Sequence, residues 1–535
     1  MVEDLLTLLH NYLVPVSFIV IALVVGKLWR LSSRFQLDPQ EPPLVRSKIP
    51  YIGHLIGLMQ QPHRYLFELH KKTHHPVSTL RMFNGKVYVL NSPYLVQAAF
   101  KSKNLSFAPL VAEYVGRMDE LSLRARHIYA KEGMHERMML LFQQQMAGTP
   151  LKQMNTIAME EISSIFRQPT QPQGKTLIEV DSLWVWMRNI MTTVTTSTLL
   201  GPGCNPWKKD PSLIQSYWDW EAGDISRRTP LAAIKDRTSH QGRVAIEKAL
   251  TAYFAQEDFS RSGMHKISRM TQETAAMQKQ YDFSASDMAA AYTQVIHASV
   301  MNVVPTTFWA LVQIFSRPDL LASLREEVIG AIKEENVDSN TGILKVIVEV
   351  SRLDSLCPRL VSAFREAHRL ATTATLHRRV VEDTYLSDGG DVNGRTYLLK
   401  KGVTCMIPTT VSLRSPEAWG GEAAEEFDPE RFLSQTSIDP VSNLRKRAYF
   451  PFGGGKDLCP GRNFAIAEVM GIMVVLLSGF DILAPDGSTF PLPKVAKPRL
   501  TTGTMRPDKT ADLRARISRR PGWENVVWSA AVPDV

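Results

Sequence analysis

At 535 residues the chain is longer than a usual domain, yet beyond residue 50 no Pro/Gly/Ser-rich linker or composition break divides it, so it reads as one large folded body. With 44% hydrophobic and 21% charged residues it is excluded from the disordered class, and its four cysteines (Cys204, Cys357, Cys405, Cys459) lie too far apart for a disulfide framework or a zinc ribbon, as suits a reducing compartment. A net charge of +9 allows an anionic membrane surface or an acidic protein partner, while the lack of any aromatic-interleaved basic motif argues against nucleic acid.

From Leu5 to Val25 the chain is almost wholly apolar and is followed by Lys27, Arg30 and Arg34. That length spans a bilayer. A cleaved signal peptide is the rival, but Glu3 and Asp4 occupy the place of a basic leader and no clear small-residue cleavage site follows. The basic flank would leave the rest of the chain in the cytosol. Residues 1–34 are therefore expected to form a membrane anchor and residues 35–50, rich in proline, a stiff hinge. Residues 79–82 and 87–90 flank Asn84-Gly85, a hairpin turn signal. From Pro93 to about Phe315 the patterns are largely helical, broken at Gly148-Thr149-Pro150, Gly201-Pro202-Gly203 and Arg227-Arg228-Thr229-Pro230. Trp184, Trp186, Trp207, Trp218 and Trp220 are expected in the core, with a membrane interface as the alternative for some of them.

Within the long helical run from Phe283 to Phe315, Pro305 removes an intrahelical hydrogen bond and predicts a kink, either as a ligand groove or as a purely structural bend. Glu366 and Arg369 stand three apart on one helix face, ahead of Phe427-Asp428-Pro429-Glu430-Arg431-Phe432. Leu376 to Val381 reads as a strand in which Arg378 and Arg379 point to opposite sides. The strongest local signal is Phe452-Gly453-Gly454-Gly455-Lys456-Asp457-Leu458-Cys459-Pro460-Gly461, a glycine-rich loop that delivers one cysteine to the start of an apolar helix. Glycines let backbone lie against a planar partner, and helix-start N–H groups favour a thiolate, which calls for a metal. The plainer alternative is an inert buried cysteine on a glycine turn.

The order Phe452, Gly455, Cys459, Gly461 resembles the haem-binding signature of the cytochrome P-450 superfamily, and with the other motifs the resemblance covers essentially the whole chain. It implies a mainly α fold with a small β-sheet region, one haem domain over residues 51–535, and a preceding N-terminal transmembrane helix. It implies haem b with Cys459 as the axial thiolate, and Phe452 and Gly453 in the cofactor loop. The family usually carries Arg or His where this chain has Asp457, so another cation must meet the haem propionates. The resemblance offers Arg379, favoured over Arg378, and more weakly His135 or Arg137, in a stretch that lacks the family's usual Trp. Glu366, Arg369 and Arg431 become a buried network behind the cysteine loop. Thr501 to Pro507 becomes the turn that closes the substrate pocket.

On the distal helix the family's acid-Thr pair is replaced by Asn302 and Val303, with Thr306 one turn further on. This pattern is similar to the branch of sterol 7α- and 12α-hydroxylases and prostacyclin synthase. The expected function is a haem-dependent monooxygenase acting on a lipophilic steroid- or terpenoid-like substrate, with Asn302 and Thr306 as catalytic residues and NADPH-cytochrome P-450 reductase as the electron donor. A basic surface including Lys400, Lys401, Arg445, Lys446, Arg447 and Lys456 would dock that reductase, or simply be solvated. The expected site of action is the endoplasmic reticulum membrane, single-pass, with the catalytic domain facing the cytosol. The missing acid and Thr favour a second reading, an isomerase or dehydratase that rearranges a pre-oxidised substrate without dioxygen. A haem-binding protein without turnover is a third.

Overall fold

The computed structural model describes residues 17, 37–49, 52–83, 85–118, 120–167, 177–223, 236–256, 267–336, 343–387, 395–433, 440–496, 503–508 and 513–530. Apart from Ser17, the expected anchor at residues 1–34 lies outside the described residues, as does the break expected at Arg227 to Pro230. The chain forms two compact units, one of Met1–Phe107 with Thr375–Ser412 and one of Ala108–Ala374 with Leu413–Val535.

The first unit is built on a six-stranded sheet whose order is Leu44–Val45, Val77–Met82, Gly85–Leu90, Thr404–Pro408, Thr375–Val380, Leu105–Ser106. The proline-rich segment takes part in it: Leu44 and Val45 pair in parallel with Thr79 and Leu80, and the Thr79 hydroxyl donates to the Pro42 carbonyl at 2.6 Å. In the hairpin, Met82 pairs with Gly85, so Gly85 opens the second strand and the bend starts at Phe83, whose φ is +49°. The expected turn therefore lies one residue too late. An aromatic in the left-handed region is strained, which a glycine at that corner would avoid.

The second unit is helical around one large core, with two three-stranded sheets at its margins. At its centre runs Arg462–Gly479, buried without interruption from Glu468 to Gly479. A helix apolar on all sides must be surrounded by protein or lipid. Here protein surrounds it. Both Arg462–Gly479 and the run Ala285–Phe315 are long and apolar enough to cross a membrane, yet 72% and 67% of their most apolar windows are buried inside the fold. The tryptophans are core residues as well. Trp207, Trp218 and Trp220 are buried, and Trp184 packs edge-on against Trp218 and Phe308 at 5.6 and 5.4 Å.

Candidate active site: the cysteine loop and the split helix

The cysteine loop is tied down by its own backbone. The Cys459 N–H donates to the Phe452 carbonyl at 3.1 Å, and Leu458 to Gly455 at 3.2 Å. Gly453 and Gly455 take φ of +75° and +66°, values that a side chain would resist, and this is how a loop of ten residues folds back on itself so tightly. Gly461 then caps the helix Arg462–Gly479, and the N–H groups of Gly461 and Arg462 are aimed at the Cys459 sulfur. Burial pushes the Cys459 thiol up, while those N–H groups and the Arg462 charge pull it down.

That conflict disappears if a cation meets the sulfur. Among the described residues no group of three or more His, Cys, Asp or Glu side chains could hold a metal ion. A metal that arrives with its remaining ligands already in place, as iron in a porphyrin does, needs no such group and only the sulfur. The surroundings fit a planar group: Pro451–Gly454 and Leu458–Arg462 are only half-buried within a densely packed unit. At Gly461 an added Cβ would lie 3.4 Å from the Met146 Sδ and 4.0 Å from the Cys459 Sγ, in ordinary contact with both, so this glycine sits directly beside the sulfur.

Behind the loop stands the helix Pro358–Ala371. Its hydrophobic stripe and N1 proline explain why it forms, and its inner face carries Glu366, His368 and Arg369. Arg369 grips Glu366 with two parallel bonds of 2.7 and 2.8 Å, and Arg431 adds a third at 2.9 Å. The remaining Arg369 nitrogen donates to the carbonyls of Leu413 and Ala424 at 2.6 and 2.8 Å. Glu366 and Arg369 have no solvent exposure, so the network expected from two separated motifs is formed and closed. His368, one residue away from Arg369, was not singled out from sequence although it sits inside the same motif. Its ring stacks on Phe364 and meets Phe452 of the cysteine loop edge-on at 4.9 Å, and burial pushes its pKa down to about 4. A neutral histidine thus carries the support from the charged network to the loop.

The expected kink interrupts the helix at Met301 and Asn302, whose backbone nonetheless stays in the α region. One helix runs Ala285–Val300, opened by a Ser284/Asp287 capping box, and a second runs Val303–Phe315, with Met301 and Asn302 between them. Proline's ring clashes with the carbonyl four residues earlier, and four before Pro305 is Met301. Ala298 is exposed and Met301 and Asn302 half-buried, while Val300, Val303 and Val304 are buried. The Asn302 Oδ1 accepts from the Thr504 hydroxyl at 3.5 Å, and a Cβ on Gly503 would come within 2.6 Å of it. A side chain at position 503 would have to displace the Asn302 amide. Among the described residues neither the Asn302 Nδ2 nor the Thr306 hydroxyl makes a hydrogen bond, whereas the Thr307 hydroxyl is held by the Val303 carbonyl at 2.9 Å.

The remaining expected residues separate. His135 lies in the first turn of the helix Met134–Gln145; burial lowers its pKa, while the charges of Glu136 and Asp457 raise it. It is thus a neighbour of Asp457, the residue that departs from the family pattern. Arg137 is exposed and lies over the Tyr281 ring at 5.5 Å, away from that pair. In the first unit, Arg378 is buried between Phe100 and Phe107 and donates to the His377 carbonyl, whereas half-buried Arg379 donates to the Gly402 carbonyl at 2.9 Å. His377 shares the Arg379 face of the strand; burial drives its pKa down to about 4.

Comparisons with known proteins point the same way. A sequence model described as cytochrome P450 matches residues 42–513. A cytochrome P450 monooxygenase of Gibberella zeae is 30% identical over 92% of this chain and 91% of its own length. Cytochrome P450 monooxygenase nodJ of Hypoxylon pulicicidum is 27% identical over 96% and 95%. The 5-beta-cholestane-3-alpha,7-alpha-diol 12-alpha-hydroxylase of Sus scrofa is 24% identical over 94% and 98%. Among solved structures, retinoic acid-bound cyanobacterial CYP120A1 is similar in fold, with a TM-score of 0.64 and 15% identity over 90% of this chain and all of that one.

Proposed function

This chain belongs to the cytochrome P450 family and is a haem-thiolate oxidoreductase with Cys459 as the iron ligand; from that premise we propose that it inserts one atom of dioxygen into a lipophilic, steroid- or terpenoid-like substrate, using electrons from NADPH-cytochrome P-450 reductase. When bound, haem supplies the oxygen-activating chemistry. The protein holds the sulfur, shapes the pocket and delivers protons.

The observation that carries this reading is the interruption at Met301–Asn302, where among the described residues the half-buried Asn302 amide nitrogen and, one turn on, the buried Thr306 hydroxyl keep free hydrogen-bonding capacity. Val303 has no polar group, and an amide does not titrate in the physiological range. Asn302 and Thr306 therefore act by holding a water, which passes the proton on. Relatives named as monooxygenases and hydroxylases support insertion over rearrangement. For the propionates, Arg379 and His135 are the proposed cations or donors, and Phe452 and Gly453 the loop against which the macrocycle rests. The apolar stretch within residues 1–34 and its basic flank support anchoring in the endoplasmic reticulum membrane with the catalytic part in the cytosol.

The test is product analysis under isotopically labelled dioxygen with reductase and NADPH. One labelled oxygen atom in the product is expected. Turnover of a pre-oxidised substrate without reductase, and with no label incorporated, defeats the proposal.

A further inference from the structure

The turn that meets Asn302 carries a second group with no counterpart in the chemistry above. Arg506 follows Gly503 and Thr504, and its backbone is pinned: its carbonyl accepts from the Ala496 N–H at 2.8 Å, while the preceding Met505 carbonyl accepts from the Trp309 Nε1 at 2.8 Å. From this fixed base its side chain reaches the helix Ser212–Ala222. There Nη1 pairs with the Glu221 carboxylate, and the guanidinium lies 5.0 Å from the Trp218 ring centroid. The same helix meets the split helix, since Trp220 packs edge-on against His297 at 5.0 Å and the Tyr217 hydroxyl lies 3.3 Å from the His297 Nδ1. Arg506 thus sits where turn, tryptophan helix and split helix converge.

Its hydrogen bonding is incomplete. The Nε and Nη2 atoms are fully buried and have no partner among the described residues. Buried guanidinium donors are normally satisfied, and a buried water or a bound ligand are the two ways to satisfy these. Thr504 touches Asn302 and Arg506 follows it by two residues, so a lipophilic molecule held over Asn302 lies beside the turn that carries this guanidinium.

We infer that Arg506 is a specificity residue that takes a neutral acceptor oxygen of the substrate, such as a ketone, lactone or ether oxygen, on Nε and Nη2. This inference rests on the reading that a lipophilic substrate binds over the split helix. Charge selects neutrality. Glu221 already balances the guanidinium, so a carboxylate ligand would leave a net negative charge in a buried place, whereas a carbonyl oxygen completes the donors and adds none. A hydrocarbon leaves them unmet.

The test uses the full-length haem-loaded protein and three compact probes of one skeleton: adamantanone, adamantane and adamantane carboxylate. Binding is read from the haem absorbance change and needs neither reductase nor turnover. The wild type should bind the ketone about tenfold tighter than the hydrocarbon and should disfavour the carboxylate. Arg506→Met should bring the ketone-to-hydrocarbon ratio close to one with the haem spectrum unchanged. Glu221→Gln keeps the guanidinium but removes its counter-charge, so the carboxylate should gain; this variant carries the test alone if Arg506→Met fails to retain haem. Equal binding of ketone and hydrocarbon by the wild type overturns the inference and leaves the lipophilic pocket standing, and so does a ratio that survives in Arg506→Met, the result expected if water fills the donors. No response to any probe overturns both readings.

Discussion

Two buried arginine–glutamate pairs in the second unit have opposite fates. Around Glu366, every guanidinium nitrogen of Arg369 has an acceptor, and Arg431 spends its own on Glu366 and the carbonyls of Trp419, Ala423 and Glu426. Around Glu221, Arg506 makes one pairing and, among the described residues, leaves two buried nitrogens unmet. The burial is similar: Arg431 and Arg506 side chains are 6% and 12% exposed. Burial therefore does not tell a strut from a binding group. What tells them apart is whether the polar groups are used up, because a saturated network resists change and an unsaturated one has free energy to gain from a ligand. Glu468 is a third case: equally buried, with only the Thr195 hydroxyl at 3.3 Å among the described residues, its carboxyl is pushed up by burial to about 8.

The contrast breaks most severely at Glu366. Glu366→Ala should strand two buried guanidinium groups and cost about 3–5 kcal/mol, seen in chemical denaturation together with loss of haem on purification. Glu221→Gln keeps an acceptor for Arg506 and should cost less, about 1.5–3 kcal/mol, with haem retained. Equal losses in both variants would erase the distinction between strut and binding group.

A functional contrast comes next. Asn302→Leu removes the spare amide at the break, so the haem spectrum should persist while product per NADPH falls severalfold and hydrogen peroxide release rises. Unchanged coupling would remove Asn302 from proton delivery.

Glu468 gives a pH effect of defined sign. In the unfolded chain its carboxyl titrates near the ordinary value of 4.5, whereas in the folded chain it titrates near 8. Between those values the folded state holds a proton that the unfolded state has lost, so this contribution to stability is complete below pH 4.5 and declines as pH rises toward 8. Glu468→Gln should flatten that decline, measured as melting temperature at pH 5 and pH 8. An unchanged slope would show that Glu468 ionises freely in place.

The smallest effect expected separates the neighbours on one strand. Arg378→Ala, which empties a site between Phe100 and Phe107, should lower the melting temperature by a few degrees, whereas Arg379→Ala should weaken haem retention with little change in stability. Haem content equal in both variants and wild type would remove Arg379 from the site.

Sequence alone determined the parts of this protein whose chemistry is local. The cysteine loop is legible because glycines, cysteine and helix start lie within ten residues, and backbone conformation is decided at that range. The break in the helix is legible because Pro305 acts on its own turn. Even the Glu366 network could be read, since each half lies in a short recognisable motif. The hairpin was misplaced by one residue because register belongs to the paired strands, and the turn residues alone do not set it. Only the tertiary structure decided which polar groups meet across long stretches of chain: His368 against Phe452, Asn302 against Gly503 and Thr504, and Arg506 against Glu221, 285 residues apart. No periodicity or spacing encodes such a meeting. It arises when apolar faces pack and carry their polar residues along, and whether a buried donor then finds its acceptor is settled by where the helices come to rest.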